Sequence, residues 1–110
     1  MIVCTSSHVA GQRVVKTLGL ATGSTIRARH IGKDILAVFK NIVGGEIEEY
    51  SKMLGEAREQ ARDRMCAHAK EMGANAVIDM RFSSSYVMSS ASEVLAYGTA
   101  VVVKPDSASS

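Results

Sequence analysis

The chain has 110 residues, of which 46% are hydrophobic and 22% charged, a composition typical of one globular domain. The net charge is +2 and the basic residues are interleaved with acidic ones, which argues against a nucleic-acid-binding protein. No signal peptide or membrane-spanning segment is evident, and two cysteines are too few for a disulfide framework. We therefore expect a cytoplasmic protein with reduced thiols and no membrane partner.

The aromatic content limits how the core can be built. There are three Tyr, two Phe and no Trp, so the interior must be packed from Val, Ile, Leu, Met and Ala. A small domain buries a modest share of its surface, and one with few large side chains gains stability by association. The composition therefore favours an oligomer.

The N-terminal part of the chain has the pattern of β structure. The first residues, MIVCT, predict a short strand, and SSHVAGQ has the small polar residues of a turn or loop. Residues 13–29 are rich in Val, Thr, Ile and Leu, and Gly19 and Gly23 interrupt them. We expect one extended segment with a bend or bulge near these glycines.

Two helices are predicted next. Residues 34–43 are apolar around most of a helix, with Asp34 in the first turn, and a short helix of this kind is buried or contacts another subunit. Residues 46–72 predict a long amphipathic helix, because at roughly 100° per residue its apolar positions fall within one arc. These positions are Ile47, Tyr50, Leu54, Ala57, Ala61, Met65, His68 and Met72.

Two further strands are predicted after Gly73, which ends the long helix. Residues 76–82 alternate, and one face is predicted to carry Ala76, Ile78, Met80 and Phe82. The last strand, EVLAYGTAVVV, has a face of small residues that suits an alanine-rich helix: Val94, Ala96, Gly98 and Ala100.

The remaining segments complete the predicted fold. SSSYVMSSAS is small and polar and is predicted to be a flexible hairpin connection, and residues 104–110 are predicted to be a disordered tail. Residues 1–103 then form one α+β domain in the order β-β-α-α-β-β. It has two layers, with a short and a long helix on one face of a mainly antiparallel sheet.

The stretch CAHAK, residues 66–70, raises the question of a metal site. Positions two apart on a helix point roughly 200° away from each other, so Cys66 and His68 cannot bind the same ion. His68 lies in the apolar arc and is predicted to have a hydrogen-bond partner in the core or at an interface. Cys66 lies on the polar side of the predicted helix.

Other chemical candidates are few. A loop could bring Cys4 and His8 to one divalent metal ion, but a structural zinc site takes about four ligands. Further ligands could come from His30, Cys66 or another subunit. The chain has no nucleophile elbow and no phosphate-binding P-loop. Three carboxylates are interpreted as solvated charges, polar groups at a strand edge or the lining of a cleft: Asp34, Asp79 and Glu93.

Several short motifs follow one another along the chain: IVGG at 42–45, Tyr50, the Ala57-Arg58 pair with Ala61, GANAVI at 73–78 and GTAV at 98–101. In this order and spacing they resemble the YbjQ family, small bacterial and archaeal proteins described as "putative heavy-metal-binding". The similarity runs from Met1 to about Val103.

The resemblance implies a dodecin-like layout and a homo-oligomeric ring, expected to be a pentamer. It does not carry a metal site with it, because metal-carrier domains of similar fold use a CxxC loop that this chain lacks. The chain also departs from the family pattern at several positions, and any shared pocket would be altered there: His30, Gly32, Glu46 and Ser51.

We therefore predict a homo-oligomeric protein that binds a small ligand or a metal ion, and no catalytic residues are predicted. Tyr50 and Arg58 are the predicted ligand-binding residues at a subunit interface, offering a phenol for hydrogen bonding and a guanidinium for an anionic group. The alternative places Tyr50 in the core and Arg58 in a surface ion pair. Two other functions remain open: a small enzyme with its active site at a subunit interface, and a structural or adaptor ring.

Overall fold

The protein is built on one sheet and one helix in the part that the computed structural model describes, residues 1–28, 45–88 and 91–106. The strands are β1 (Ile2–Val3), β2 (Gln12–Ala28), β3 (Ala76–Met88) and β4 (Ala91–Pro105), and the helix α1 is Gly45–Glu71. This is the α+β class that the sequence predicts. The predicted short helix at residues 34–43 lies outside the described residues.

The strands form one sheet in the order β1-β3-β4-β2. β4 is antiparallel to both β3 and β2 over nearly its whole length, whereas β1 pairs in parallel with β3 at two residues only. The prediction of a mainly antiparallel sheet is confirmed, and β2 forms one of its edges.

β2 contains the irregularity that its glycines predict. The register against β4 shifts between Val14 and Lys16 and again between Thr17 and Gly19. Gly19 has a φ of 122°, which residues with a Cβ rarely adopt. A bulge of this kind bends and twists the strand.

α1 packs on one face of the sheet through small side chains. Its buried stripe consists of Ala57, Ala61, Met65 and Ala69, all fully buried. Opposite lie Ala21, Val94, Ala96 and Ala100 of the sheet, in the same core cluster. A Cβ on Gly23 would overlap the backbone of Ala61 and Met65, so the helix backbone rests directly on β2. The predicted helix–sheet contact is confirmed, and Gly23 serves this close approach.

The prediction that the serine-rich segment is a flexible connection is wrong for most of the segment. β3 continues to Met88 and β4 already begins at Ala91. Ser83 pairs with Leu95 and Ser84 with Val94, so an apolar partner strand holds these serines in the ladder. Pairing with a neighbouring strand overrides the weak intrinsic preference of serine for β structure.

The last strand also runs further than the sequence predicts. Lys104 and Pro105, placed in the predicted tail, pair with Arg13 and Gln12 of β2. The N–H of Asp106 donates a hydrogen bond of 2.8 Å to the carbonyl of Gly11. Pro105 is the final residue of the strand, a position where a missing N–H donor is tolerated.

The C-terminus of α1 is closed by a glycine turn. The N–H of Ala74 donates to the carbonyl of Ala69 and the N–H of Gly73 to that of Lys70, both at 3.0 Å. This pair of bonds is the Schellman arrangement, and Gly73 has the left-handed φ of 94° that it requires. The prediction that Gly73 ends the helix is confirmed.

One hydroxyl is buried in the helix–sheet layer without a partner. Thr25 of β2 is only 3% exposed, and its Oγ1 has no hydrogen-bond partner among the described residues. It pairs across the ladder with the buried Val94. A buried hydroxyl without a partner destabilises the fold.

The glycine turn at the end of α1 predicts that substitutions of two glycines change the stability in opposite directions. We expect Gly73→Ala to lower the free energy of unfolding by about 1–2 kcal/mol, because an L-residue at this φ is strained. Gly55→Ala, inside α1 with open space around its Cα, should raise it by up to about 1 kcal/mol. Urea unfolding of both variants measures the two changes. Equal effects would contradict the assigned helix end.

The Thr25 hydroxyl predicts a stabilising substitution. Thr25→Val keeps the side-chain shape and removes the unpaired group, so the free energy of unfolding should rise by roughly 1 kcal/mol. Thr25→Ser, which keeps the hydroxyl and loses a methyl group, is the matched control and should destabilise. A loss of stability in the Val variant would show that the hydroxyl has a partner in solution.

Candidate functional site

A bulge in β3 shapes the region around Asp79. Ile78 pairs with Thr99 and Arg81 with Tyr97, so Asp79 and Met80 together lie opposite Gly98. Asp79 has a φ of 53°, a left-handed conformation that aspartate and asparagine adopt more readily than most residues.

The bulge corrects the predicted faces of this strand. Met80 joins Val77 in the core cluster beneath α1, whereas Ala76 and Ile78 pack in a second cluster on the other face. The prediction that Ala76, Ile78, Met80 and Phe82 share one face is therefore wrong. The extra residue reverses the alternation, and Phe82 pairs with the helix-facing Ala96.

The segment Cys4 to His8, here called the Cys4–His8 loop, is bonded to this bulge. The carbonyl of Cys4 accepts a hydrogen bond from the N–H of Met80 (3.0 Å), and the carbonyl of Ser6 accepts one from the N–H of Asp79 (3.0 Å). The carbonyl of Thr5 accepts a third from Arg81 Nη1 (2.9 Å). These three bonds hold the main chain of the loop against the bulge, so the position of the loop depends on the bulge.

A side-chain bond completes this attachment. Ser7 Oγ donates to Asp79 Oδ1 at 2.9 Å, and these two residues are 72 positions apart in the chain. Asp79 is half-buried, with its N–H and its carboxylate both used by the loop. Sequence reasoning left Asp79 as a solvated charge or edge group and missed Ser7 and Arg81, because no local pattern signals contacts of this sequence separation.

The structure brings Cys4 and His8 together in this loop. The Cys4 Sγ lies 3.6 Å from the carbonyl oxygen of Ser6 and 3.9 Å from that of His8, in reach of weak thiol hydrogen bonds. Cys4 is half-buried against the second cluster and His8 is exposed. The loop thus holds the Cys4 thiol against the main chain of His8, whose exposed imidazole belongs to the same short segment.

Cys66 lies apart from them. It packs against the core cluster beneath α1, and Cys4 packs against the cluster on the opposite face of the sheet. The two thiols of one chain are therefore separated by the sheet. Cys66 is half-buried, so its predicted place on the polar side of the helix needs correction.

His68 has the hydrogen-bond partner that the sequence predicts. The N–H of Thr22 donates to its Nδ1 at 3.0 Å, which requires an unprotonated Nδ1. One turn earlier, Arg64 Nη1 donates to the carbonyl of Ser24 at 2.6 Å. Thr22 and Ser24 are alternate residues of the edge strand β2, so two helix side chains satisfy its outward main-chain groups. This covers part of an edge that would otherwise invite strand pairing.

Of the two predicted ligand-binding side chains, the structure describes only that of Arg58. Arg58 lies on α1 and is exposed. Tyr50 lies eight residues earlier in the same helix, and its side chain is outside the described residues. The pairing of Tyr50 with Arg58 stays a prediction.

No metal-binding group is complete within one chain over residues 1–28, 45–88 and 91–106. Nowhere in that part do three His, Cys, Asp or Glu side chains converge as metal ligands require. Cys4 and His8 supply two donors, and about four are needed for a structural zinc site. Any metal bound there would need donors from elsewhere.

The residues that the structure describes cover one end of the sheet face opposite α1 and leave the other end exposed. At one end, Cys4 and Val9 pack over the second cluster. At the other end lie four residues that we call the open face: Leu20, Ile26, Leu95 and Tyr97. Leu20 is 62% exposed and Ile26 is 59% exposed. Alternation along β2 places both on the side away from Ala21 and Gly23, and thus away from the helix.

The chain is similar along nearly its whole length to known sequences. A family model described as "putative heavy-metal-binding" matches residues 1–104. A UPF0145 protein of Dehalococcoides mccartyi is 62% identical over 104 residues, which are 94% of this chain and 100% of that protein. UPF0145 proteins of Methanosarcina acetivorans and Pyrococcus abyssi are 55% and 52% identical, covering 94% of this chain and 97% and 91% of theirs.

A solved structure shares the fold. The crystal structure of a protein of unknown function of the DUF74 family from Pediococcus pentosaceus superposes with a TM-score of 0.63 at 14% identity. The alignment covers 94% of this chain and 98% of that one. Within the described part of the present chain, no helix has the length and hydropathy needed to cross a membrane.

Proposed function

The chain belongs to the YbjQ family, and from that premise we propose that it is a cytoplasmic binding protein without catalytic activity. Its subunits assemble into a homo-oligomeric ring, a pentamer, and hold a heavy-metal ion or a small ligand. The observation that carries this proposal is the open face, together with the incomplete donor set in the Cys4–His8 loop. Both features are completed by a second copy of the chain.

The shape of the subunit supports assembly. Its radius of gyration is 18.1 Å, whereas a compact domain of this length has roughly 13 Å. β2 has 17 residues and reaches roughly 50 Å, so the sheet extends past the roughly 40 Å of α1. Among the described residues, α1 packs on the other face and nothing covers Leu20 and Ile26, so we infer that another subunit buries them.

The chemistry of the loop favours a thiophilic metal. A Cys thiolate and a His imidazole are ligands that zinc and copper accept, and such ions bind them more tightly than they bind hydroxyls or carbonyls. Each subunit supplies Cys4 and His8 at one edge of the structure. In a ring, the donors missing from one loop come from the adjoining subunit.

Assembly predicts a specific response to charge on the open face. The double variant Leu20→Asp and Ile26→Asp should convert the ring to monomers, because a buried, unpaired carboxylate opposes association. Ala67→Asp is the matched control: this exposed alanine lies on α1, away from the open face, and its variant should keep the wild-type mass. Native mass spectrometry measures all three. A monomeric wild type, or an intact ring in the double variant, would count against this interface.

Metal binding predicts that the two cysteines differ. Cys4→Ser should weaken Zn²⁺ binding by at least about 100-fold, because a hydroxyl replaces a thiolate ligand. Cys66→Ser, on the other side of the sheet, should leave the affinity unchanged. Isothermal titration of metal-free protein with Zn²⁺ gives both values. Unchanged affinity in Cys4→Ser, or an equal loss in Cys66→Ser, excludes the loop as the metal site.

A further inference from the structure

The outer side of the Cys4–His8 loop carries a row of main-chain donors. The carbonyls of Cys4, Thr5 and Ser6 all point toward the β3 bulge, since each accepts a hydrogen bond from it. In a trans peptide, the carbonyl and the following N–H point in opposite directions, and the chain has no cis peptide among its described residues. The N–H groups of Thr5, Ser6 and Ser7 therefore point away from β3.

These three N–H groups are consecutive and unpaired. Within the described part of the chain, none of them donates a hydrogen bond. Three carbonyls in a row on one side require a curved backbone, since in an extended strand successive carbonyls alternate. The loop has that curvature from Thr5 to His8. Successive amides on one side of a curved backbone form a concave site that attracts anions.

We propose that the Cys4–His8 loop binds a phosphate group through the N–H groups of Thr5, Ser6 and Ser7. Phosphate offers several strong acceptor oxygens to a row of donors. The loop is exposed, and its attachment to the bulge holds the donors in place before the ligand arrives. This site uses main-chain amides and not the Cys4 thiol, so phosphate binding does not require a metal ion at the site proposed above.

The nearby charges set the strength of this site. Arg81 lies next to the loop and contributes a positive charge, although its Nη1 is already bonded to the carbonyls of Thr5 and Met80. The carboxylate of Asp79 contributes a negative charge beneath Ser7. Asp79→Asn keeps an Oδ1 acceptor for Ser7 and tolerates the left-handed φ, so it removes the charge with little change in geometry.

The test is a titration of the whole protein with inorganic phosphate, followed by TROSY NMR of the backbone amides. Potassium chloride at matched ionic strength is the control for salt. The amides of Thr5, Ser6 and Ser7 should shift with saturation, and Asp79→Asn should bind several-fold more tightly. Glycerol phosphate, titrated in parallel, distinguishes a site for free phosphate from one for a phosphate ester.

A pair of loop variants isolates the N–H groups. Ser6→Pro removes one of the three donors and should weaken phosphate binding about tenfold. Ser6→Ala keeps that N–H and loses the same hydroxyl bond to His8, so it should bind as the wild type does. Absence of saturable shifts in both wild type and Asp79→Asn overturns the proposal. Full affinity in a folded Ser6→Pro protein overturns it too, and if that variant does not fold, the Asp79→Asn titration decides.

Discussion

The bulge at Asp79 is the constraint on which both the core and the candidate site depend. One extra residue in β3 turns Met80 toward α1 and leaves Ile78 on the opposite face, so both clusters receive an apolar side chain from the same strand. The main-chain groups that the bulge withdraws from the ladder are used elsewhere. The N–H groups of Asp79 and Met80 both bond to the Cys4–His8 loop, whereas in a regular strand two successive N–H groups point to opposite sides.

The helix–sheet contact depends on the absence of side-chain volume. Gly23, Ala57 and Ala61 let the helix backbone approach β2 to a distance that no larger residue allows. A contact made of small side chains buries little apolar area per residue, and the stability it contributes is correspondingly small. Of the larger apolar side chains of β2, Leu18 packs against the helix-side cluster, whereas Leu20 and Ile26 lie on the other face. Leu20 and Ile26 therefore remain exposed on the face away from the helix, where the proposed ring would bury them.

Hydrophobic periodicity predicts a helix or strand correctly where local sequence determines the structure, and fails where a long-range contact overrides the local pattern. The long helix, its alanine stripe and its end at Gly73 all follow from local sequence, and each is confirmed. The serine-rich end of β3 was predicted as a connection, since only its partner Leu95 and Val94 on β4 make it a strand. The bulge at Asp79 adds one residue to an alternating pattern. The sequence on either side still alternates, so the pattern alone does not reveal the extra residue.

The candidate site was the least predictable part. Cys4 and His8 are near each other in sequence, so their proximity in space could be expected. The bonds of Ser7 with Asp79 and of Thr5 with Arg81 could not, because each joins residues more than 70 positions apart. The sequence predicts a partner for His68, but it does not predict that His68 and Arg64 of α1 bond to the main chain of β2. A hydrogen bond from a side chain to the main chain of a distant strand leaves no mark on the composition of that strand.

The two sides of the Cys4–His8 loop differ in the sign of their partial charges. The Cys4 thiol lies among carbonyl oxygens, where a cation replacing the thiol proton would meet negative partial charges. The amides of the same peptide units point outward, where an anion would meet positive ones. A cation on the inner side and an anion on the outer side would attract each other across the loop, since two unit charges several ångströms apart interact appreciably near a protein surface. The two proposed ligands are therefore compatible, and binding of either one would favour the other.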